Sequence, residues 1–144
     1  MKVVDFLICD DIRTEIGNKH SIIGLYDDAI TFNVPIVEKG KWPKIIKLGI
    51  FIKAKFDNDQ EKKQTGKFRL DVMLNEINKT IAEGELHFGE KKEATGINMA
   101  VVFNQFVFES AGLMSVKMIL LNHKNEEIAS IEYPDKIKIT ETVL

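Results

Sequence analysis

The stretch that decides the fold reads Ile46-Lys47-Leu48-Gly49-Ile50-Phe51-Ile52-Lys53-Ala54-Lys55-Phe56. Every second residue from Ile46 to Phe56 is apolar, and lysine occupies three of the five positions between them. A period of two is the mark of a strand that buries one face. The same alternation recurs along the chain, and no long segment has the 3.6-residue period of a helix, so the sequence predicts an all-β protein.

The strand pattern favours a β-sandwich, and the whole of residues 1–144 is predicted to form one domain. We predict an antiparallel β-sandwich of about eight strands with a Greek-key-like crossover. The segment 34–44, with Pro35, Gly40 and Pro43, is expected to carry the chain from one sheet to the other. Residues 113–121 are apolar on both faces, which predicts a central strand. The phase of the 97–108 segment slips at Asn104-Gln105, which predicts a β-bulge.

The apolar positions that share a face in these segments form the predicted core. They are Phe6, Ile8, Ile22, Leu48, Ile50, Ile52, Phe68, Leu70, Val72, Leu86, Phe88, Val101, Phe103, Val116, Met118 and Ile131.

Composition narrows the class of protein. The chain has 144 residues, 44% hydrophobic and 29% charged, with a net charge of -2. This mild acidity disfavours non-specific binding to nucleic-acid phosphates. The single cysteine, Cys9, cannot form an intrachain disulfide and is typical of a reducing compartment. We see no signal peptide and no apolar run long enough to span a bilayer, so we expect a cytoplasmic protein with no membrane association.

The N-terminal third contains the segment CDDIRTEIGNKHSIIGLYD over residues 9–27. It resembles a family of small bacterial proteins that is classed as a domain of unknown function and is expected to form β-sandwiches. The stretch from Ala111 to Glu132 also fits the layout of that family. The resemblance implies a bacterial or phage origin and a compact β domain, and it implies no activity, cofactor or catalytic residue.

Acidic residues near the first two strands are the candidates for a metal site: Asp10, Asp11, Glu15, Asp27 and Asp28. Clustered carboxylates suit a hard cation such as Ca²⁺. Aspartates also cap turns by bonding to their own backbone, and the chain has no ligand loop of the EF-hand kind. We therefore predict no metal and no cofactor.

The nucleophiles and imidazoles of the chain give no catalytic constellation. Cys9 lies at the end of an apolar run beside two aspartates, which predicts a buried thiol with a raised pKa. His20, His87 and His123 fall in three separate predicted elements, whereas a zinc site needs convergent ligands.

The region 39–55 is the best candidate for an interaction surface, because lysines alternate there with aromatic residues. Its lysines are Lys39, Lys41, Lys44, Lys47, Lys53 and Lys55, and its aromatic residues are Trp42 and Phe51. Lysines with aromatic residues can bind single-stranded nucleic acid, but they also mark the solvent face of a strand or guard its edge. A partner surface would combine Trp42, Lys47, Phe51 and Lys53 with Met73 of a separate strand.

Taken together, these patterns favour a protein that binds rather than reacts, by analogy with other sandwiches. The interpretation is a non-catalytic protein-binding or adaptor module, with a protein partner or self-association through a sheet edge. Two alternatives stay open. One is a small-molecule or metal-binding protein or enzyme with a site assembled from loops, and the other is a single-stranded nucleic-acid binder through residues 39–55.

Overall fold

The alternating segments fold into strands that fill most of the chain. The structure, a computed structural model, describes residues 1–87 and 95–144. Its strands are β1 (Lys2–Glu15), β2 (Lys19–Leu25), β3 (Ala29–Val34), β4 (Lys44–Lys55), β5 (Lys67–Leu74), β6 (Ile77–Glu85), β7 (Gly96–Phe108), β8 (Gly112–Leu121), β9 (Glu127–Glu132) and β10 (Ile137–Val143).

The strands form two sheets, and the chain crosses between them repeatedly. The first sheet has four strands in the order β2-β1-β4-β7. The second sheet has six strands, of which five follow the order β3-β10-β8-β5-β6. The remaining strand, β9, pairs with the C-terminal half of β8, while β10 pairs with the N-terminal end of β8.

The predicted fold class is confirmed, with two details that the pattern did not indicate. The described residues contain ten strands, and β3 runs parallel to β10 while the other pairs are antiparallel. The segment 34–44 does join the two sheets, since β3 belongs to the second sheet and β4 to the first. It contains a 3-10 helix over Ile36–Glu38.

Two predictions about single strands are also confirmed. β8 is central, because it pairs with β5 on one side and with β9 and β10 on the other. β7 carries a bulge at Asn104-Gln105. Ile46 and Leu48 of β4 lie opposite Phe106 and Phe103, so β7 has one residue more than β4 in that interval.

The core lies between the sheets and draws most heavily on β4 and β8. Most predicted core residues are buried, and Ile8, Leu48, Ile50, Ile52, Leu70, Val116 and Met118 are fully inaccessible. The predicted residues Ile22, Phe68, Leu86, Val101 and Phe103 are half-buried instead. Ile22 belongs to the hairpin of β1 and β2 and does not pack against the core between the sheets. The other four lie toward strand ends or on an edge strand, where the opposite sheet covers them less. Phe88 lies outside the described residues.

β1 is longer than its apolar run predicts, because it continues through the polar residues 10–15 to form a hairpin with β2. Beyond Cys9, β1 no longer pairs with β4. The hairpin then lies against the outer face of β4. A Cβ on Gly49 would come within 3.0 Å of Ile12 and 2.9 Å of the Cys9 sulfur. Because Gly49 has no side chain, it makes room for this contact. β4 continues through Gly49 without a break.

The one α-helix of the described ranges, α1 (Asp59–Gln64), lies in the charged connection between β4 and β5. The side chain of Asn58 caps it by accepting a hydrogen bond from the Glu61 N–H, 2.9 Å away. Neither this helix nor any other described helical segment could cross a membrane.

Leu70→Ala tests the assignment of inward and outward faces. Leu70 is fully buried, so its truncation should lower the free energy of unfolding by about 2–5 kcal/mol. Met73 is 41% exposed on the opposite face of β5, so Met73→Ala should change it by only about 0.5 kcal/mol. Urea denaturation of both variants measures the difference. A larger loss for Met73→Ala than for Leu70→Ala would mean that β5 is one residue out of phase.

Candidate functional site

Asp10 is engaged with its neighbour across the β1–β2 hairpin. Its carboxylate accepts a hydrogen bond from the Tyr26 hydroxyl. Gly24 has a φ of +67°, and a Cβ there would collide with the Asp10 side chain, so this glycine provides the space for the carboxylate. Burial and the neighbouring Asp10 charge raise the pKa of Tyr26 far above its ordinary value. The pair therefore links β1 to the residue that follows β2.

Asp11 and Glu15 are also held by local partners. The Asp11 carboxylate lies 3.0 Å from the Lys47 ammonium and 3.7 Å from the Arg13 guanidinium. The hydrogen bond from Lys47 is the main reason that the pKa of Asp11 lies below its ordinary value. Glu15 accepts a hydrogen bond from the Ser21 hydroxyl at 3.2 Å. The Lys47–Asp11 pair joins the hairpin to β4, and the Ser21–Glu15 pair joins its two strands.

Asp27 and Asp28 lie beside the second sheet, away from the pairs on β1. The backbone carbonyl of Asp27 accepts from the Tyr133 hydroxyl at 3.0 Å, and that of Asp28 accepts from the Lys138 N–H at 2.8 Å. Residues 1–87 and 95–144 contain no group of three His, Cys, Asp or Glu side chains that could hold a metal ion. The structure therefore does not bring the five acidic residues into one site.

Cys9 is fully buried. Its thiol donates weakly to the backbone carbonyls of Asp11 and Gly49, 3.4 and 3.6 Å away. Burial raises the pKa of Cys9, and the charges of Asp10 and Asp11 add to the rise. A protonated, inaccessible thiol is a poor nucleophile.

The three histidines lie apart from one another in contacts of their own. The His20 ring lies 5.5 Å from the ring of Phe51. His87 lies 3.2 Å from Glu85 on an exposed surface. His123 lies in the turn after β8 and packs over Gly66. Its ring lies within 2.7 Å of the position that a Cβ on Gly66 would take.

Three of the six lysines in the region 39–55 are paired with carboxylates. The Lys44 ammonium lies 3.2 Å from Glu141 and 5.1 Å from the centre of the Trp42 ring, and its side chain is only 10% exposed. Lys47 is bound to Asp11, and Lys41 lies 3.7 Å from Glu38. Lys39, Lys53 and Lys55 are exposed. The six lysines therefore do not form one continuous basic stripe.

Trp42, Phe51 and Met73 lie on three separate surfaces. Trp42 packs edge-on against Phe32, with ring centres 5.9 Å apart. Phe51 belongs to the outer face of the first sheet, since its neighbours Ile50 and Ile52 point into the core. Met73 belongs to the outer face of the second sheet by the same alternation. Lys47 and Lys53 share the outer face of β4 with Phe51, without Met73 or Trp42.

A buried carboxylate on the second sheet is the strongest polar cluster of the described chain. Asp71 is 5% exposed and accepts hydrogen bonds from Thr80 at 2.8 Å, from Asn78 at 3.3 Å and from Arg69 at 3.2 Å. Burial opposes its ionisation, but these donors outweigh burial and hold the pKa of Asp71 below its ordinary value. Since its oxygens are all satisfied within β5 and β6, this cluster joins two strands and leaves no group free for chemistry.

The feature that remains unsatisfied is a sheet edge. Among the described strands, β7 pairs only with β4, so no described strand covers its other side. The N–H of Phe56 donates to the carbonyl of Thr95 at 2.9 Å, which makes this directly opposed pair a hydrogen-bonded one. In an antiparallel ladder such pairs alternate. Residues 97, 99, 101 and 103 therefore bond to β4, while residues 96, 98, 100 and 102 direct their backbone groups to the free edge.

The edge of β7 lacks the features that usually protect an edge. β7 has 13 residues, and none of them is charged. Proteins guard edges with charges, bulges or short strands. The other edges have such protection: β6 carries Lys79, Glu83 and Glu85, β2 carries Lys19, and β3 and β9 have six residues each. The bulge of β7 lies at Asn104-Gln105 and leaves the register of residues 96–103 with β4 unbroken.

An apolar cleft opens beside the C-terminal end of β7. It has a volume of about 140 Å³ and lies between β7 and the strands β5 and β6. Its lining includes Leu74, Ile77, Ile81, Phe106 and Phe108, and Ile77 at its rim is 74% exposed. The free edge of β7 and this cleft together form the candidate site, which we call the β7 edge site.

Sequence reasoning missed the β7 edge site although one signal was readable. The absence of charge over 96–108 marks an unusual strand in a chain with 29% charged residues. What the sequence lacked was the strand order, since a strand of this composition could equally lie in the middle of a sheet.

Asp71→Asn tests the structural role of the buried carboxylate. The amide cannot accept from all the donors around it, so we expect a loss of about 1–3 kcal/mol at neutral pH. Because the pKa of Asp71 in the folded state lies below the ordinary value of 3.8, its contribution is complete above that pH and is lost as the pH falls through the folded pKa. In urea denaturation across pH, the gap in the free energy of unfolding between Asp71→Asn and wild type should shrink only in acid. The exposed Asp28→Asn is the control. A gap that is independent of pH would contradict this role.

Comparison with known proteins identifies the family but no activity. No curated protein matches the chain. A family model covers residues 4–132, which includes β2 to β9, most of β1 and therefore the whole β7 edge site. The chain belongs to DUF6941, a family of unknown function.

Proposed function

We propose that the chain is a single β-sandwich domain that binds a protein partner without catalysing a reaction. The partner adds a β-strand along the free edge of β7. The observation that carries this proposal is the long, uncharged edge of β7, which pairs with β4 alone among the described strands. An extended peptide that pairs with such an edge gains main-chain hydrogen bonds, and its alternate side chains give specificity.

The inner side of the edge offers apolar surface to such a strand. Val101 and Phe103 point toward the core side but remain half-buried, whereas Ile97 and Met99 on the same face are 6% and 9% exposed. A strand beside β7 would cover Val101 and Phe103. The cleft then provides a pocket for a large apolar side chain of the partner, the kind of anchor that dominates binding energy.

Cell location and origin belong to the same proposal. We infer a cytoplasmic protein of bacterial or phage origin. The single buried thiol of Cys9 is compatible with a reducing compartment.

The alternatives have less support from the described residues. For a single-stranded nucleic-acid binder, Lys44 and Lys47 are the central cations of the region 39–55, and both are held by carboxylates. For a metal-dependent or loop-assembled enzyme, the described acidic residues are distributed over separate local pairs. The β7 edge site is therefore the surface that we assign to function.

Ala100→Pro tests strand addition directly. The Ala100 N–H points to the free edge, so proline removes a donor from the edge and none from the ladder with β4. Ala100→Val is the matched control, because it keeps the N–H. Tagged wild type and both variants are expressed with an untagged copy and recovered from nuclease-treated lysate. A stoichiometric protein, whether another protein or the untagged chain, should be retained by wild type and Ala100→Val and lost by Ala100→Pro. Retention of none, or equal retention by all three, would overturn the proposal.

The cleft is tested by a second pair of variants in the same capture. Ile77 at the cleft and Ile36 in the 3-10 helix are both 74% exposed, so Ile77→Ser and Ile36→Ser remove the same side chain at the same exposure. Only Ile77→Ser should weaken retention. Equal effects of the two variants would remove the cleft from the site.

A further inference from the structure

The β7 edge is complementary to itself. We infer that the strand it accepts is β7 of a second copy of this chain, paired antiparallel about a two-fold axis. This inference rests on the proposed strand addition along the edge and names its partner; the paired residues 96–102 do not reach the cleft.

One register uses every free backbone group of the regular part of the edge. It places Gly96 opposite Val102 of the second copy, and Asn98 opposite Ala100 of the second copy. Each of these residues directs its N–H and C=O away from β4, so each such pair can exchange both hydrogen bonds. The axis then passes beside Met99.

The side chains match in this register. On the outer face, Val102 meets a glycine and Ala100 meets an asparagine, so no two large side chains collide. On the inner face, Val101 meets Ile97 of the second copy, and Met99 meets Met99 of the second copy. The half-buried Val101 is thereby covered by an apolar side chain.

Charge favours a second copy over an unrelated strand. A two-fold axis places each strand opposite itself, so a charged residue near the axis would face its own kind. Like charges in opposed positions destabilise strand pairs. The 13 residues of β7 contain no charge, which is the composition that self-pairing requires.

The assembly closes at two copies. Pairing consumes the β7 edge of both copies and joins the two four-stranded sheets into one continuous sheet. The remaining described edges are short or charged, so they offer no comparable site for further copies.

Sedimentation velocity over a dilution series of the full chain tests the inference. Wild type should sediment with twice the monomer mass and dissociate on dilution. Ala100→Pro should weaken the association by roughly tenfold or more, since each copy loses a hydrogen bond at the interface, whereas Ala100→Val should retain it. Ala100→Lys provides a second test that keeps the N–H and adds a charge at the edge. It too should weaken the association, with unchanged circular dichroism.

The outcomes separate this inference from the proposed function. A monomeric wild type at all concentrations overturns the second copy, as does a dimer that Ala100→Pro and Ala100→Lys leave intact. If the wild type is monomeric but captures another protein that Ala100→Pro loses, strand addition stands with a different partner. If neither a second copy nor another protein is bound, both proposals fail.

Discussion

The burial of apolar side chains between β4 and β8 is the constraint on which the rest of the structure depends. Leu48, Ile50 and Ile52 of β4 are completely inaccessible, as are Met114, Val116, Met118 and Leu120 of β8. Each such side chain contributes about 1.5–3 kcal/mol relative to exposure. Each of these strands also has neighbours on both sides, β4 from Gly49 to Lys55 and β8 along most of its length, so most of its backbone groups are paired. The inward faces of these two central strands thus determine which side chains of the adjacent strands point into the core.

The same constraint explains why function is assigned to an edge. A sandwich satisfies the backbone of its interior strands, and it leaves unpaired groups only at its margins. The polar clusters of this protein are satisfied locally, as the buried Asp71 is by Thr80 and Asn78, and the exposed Asp10 is by Tyr26. β7 differs because its outward backbone groups have neither a neighbouring strand among the described residues nor charged side chains beside them. Its unsatisfied hydrogen-bonding capacity is the reason for the proposed strand addition.

Local patterns predicted the fold well where each residue's environment depends on one strand. Alternation located β4, β5 and β8, and the phase slip at Asn104-Gln105 correctly indicated a bulge. The polar half of β1 was missed, because its residues pair with β2 in a hairpin that buries little. The parallel pairing of β3 with β10 depends on residues far apart in sequence, and no local period reports it.

The candidate site was harder to predict, because it depends on strand order. The patch of Trp42, Phe51 and Met73 assumed that their strands were neighbours, but the alternation of β4 and β5 places Phe51 and Met73 on opposite outer faces. Lysines that read as a basic stripe are paired with carboxylates from β1 and β10, as Lys47 is with Asp11. The uncharged composition of β7 was visible, but its meaning required the knowledge that β7 lies at an edge.

Residue-resolved amide hydrogen exchange of β7, measured by NMR over a range of protein concentrations, tests the central claim most directly. In dilute protein, the amides of Asn98, Ala100 and Val102 should exchange much faster than those of Met99 and Val101, which bond to β4. At high concentration, the first group should become protected while the second stays unchanged. Protection of both groups at every dilution would show that the edge is already covered within one chain. Fast exchange of the first group at every concentration would contradict pairing with a second copy.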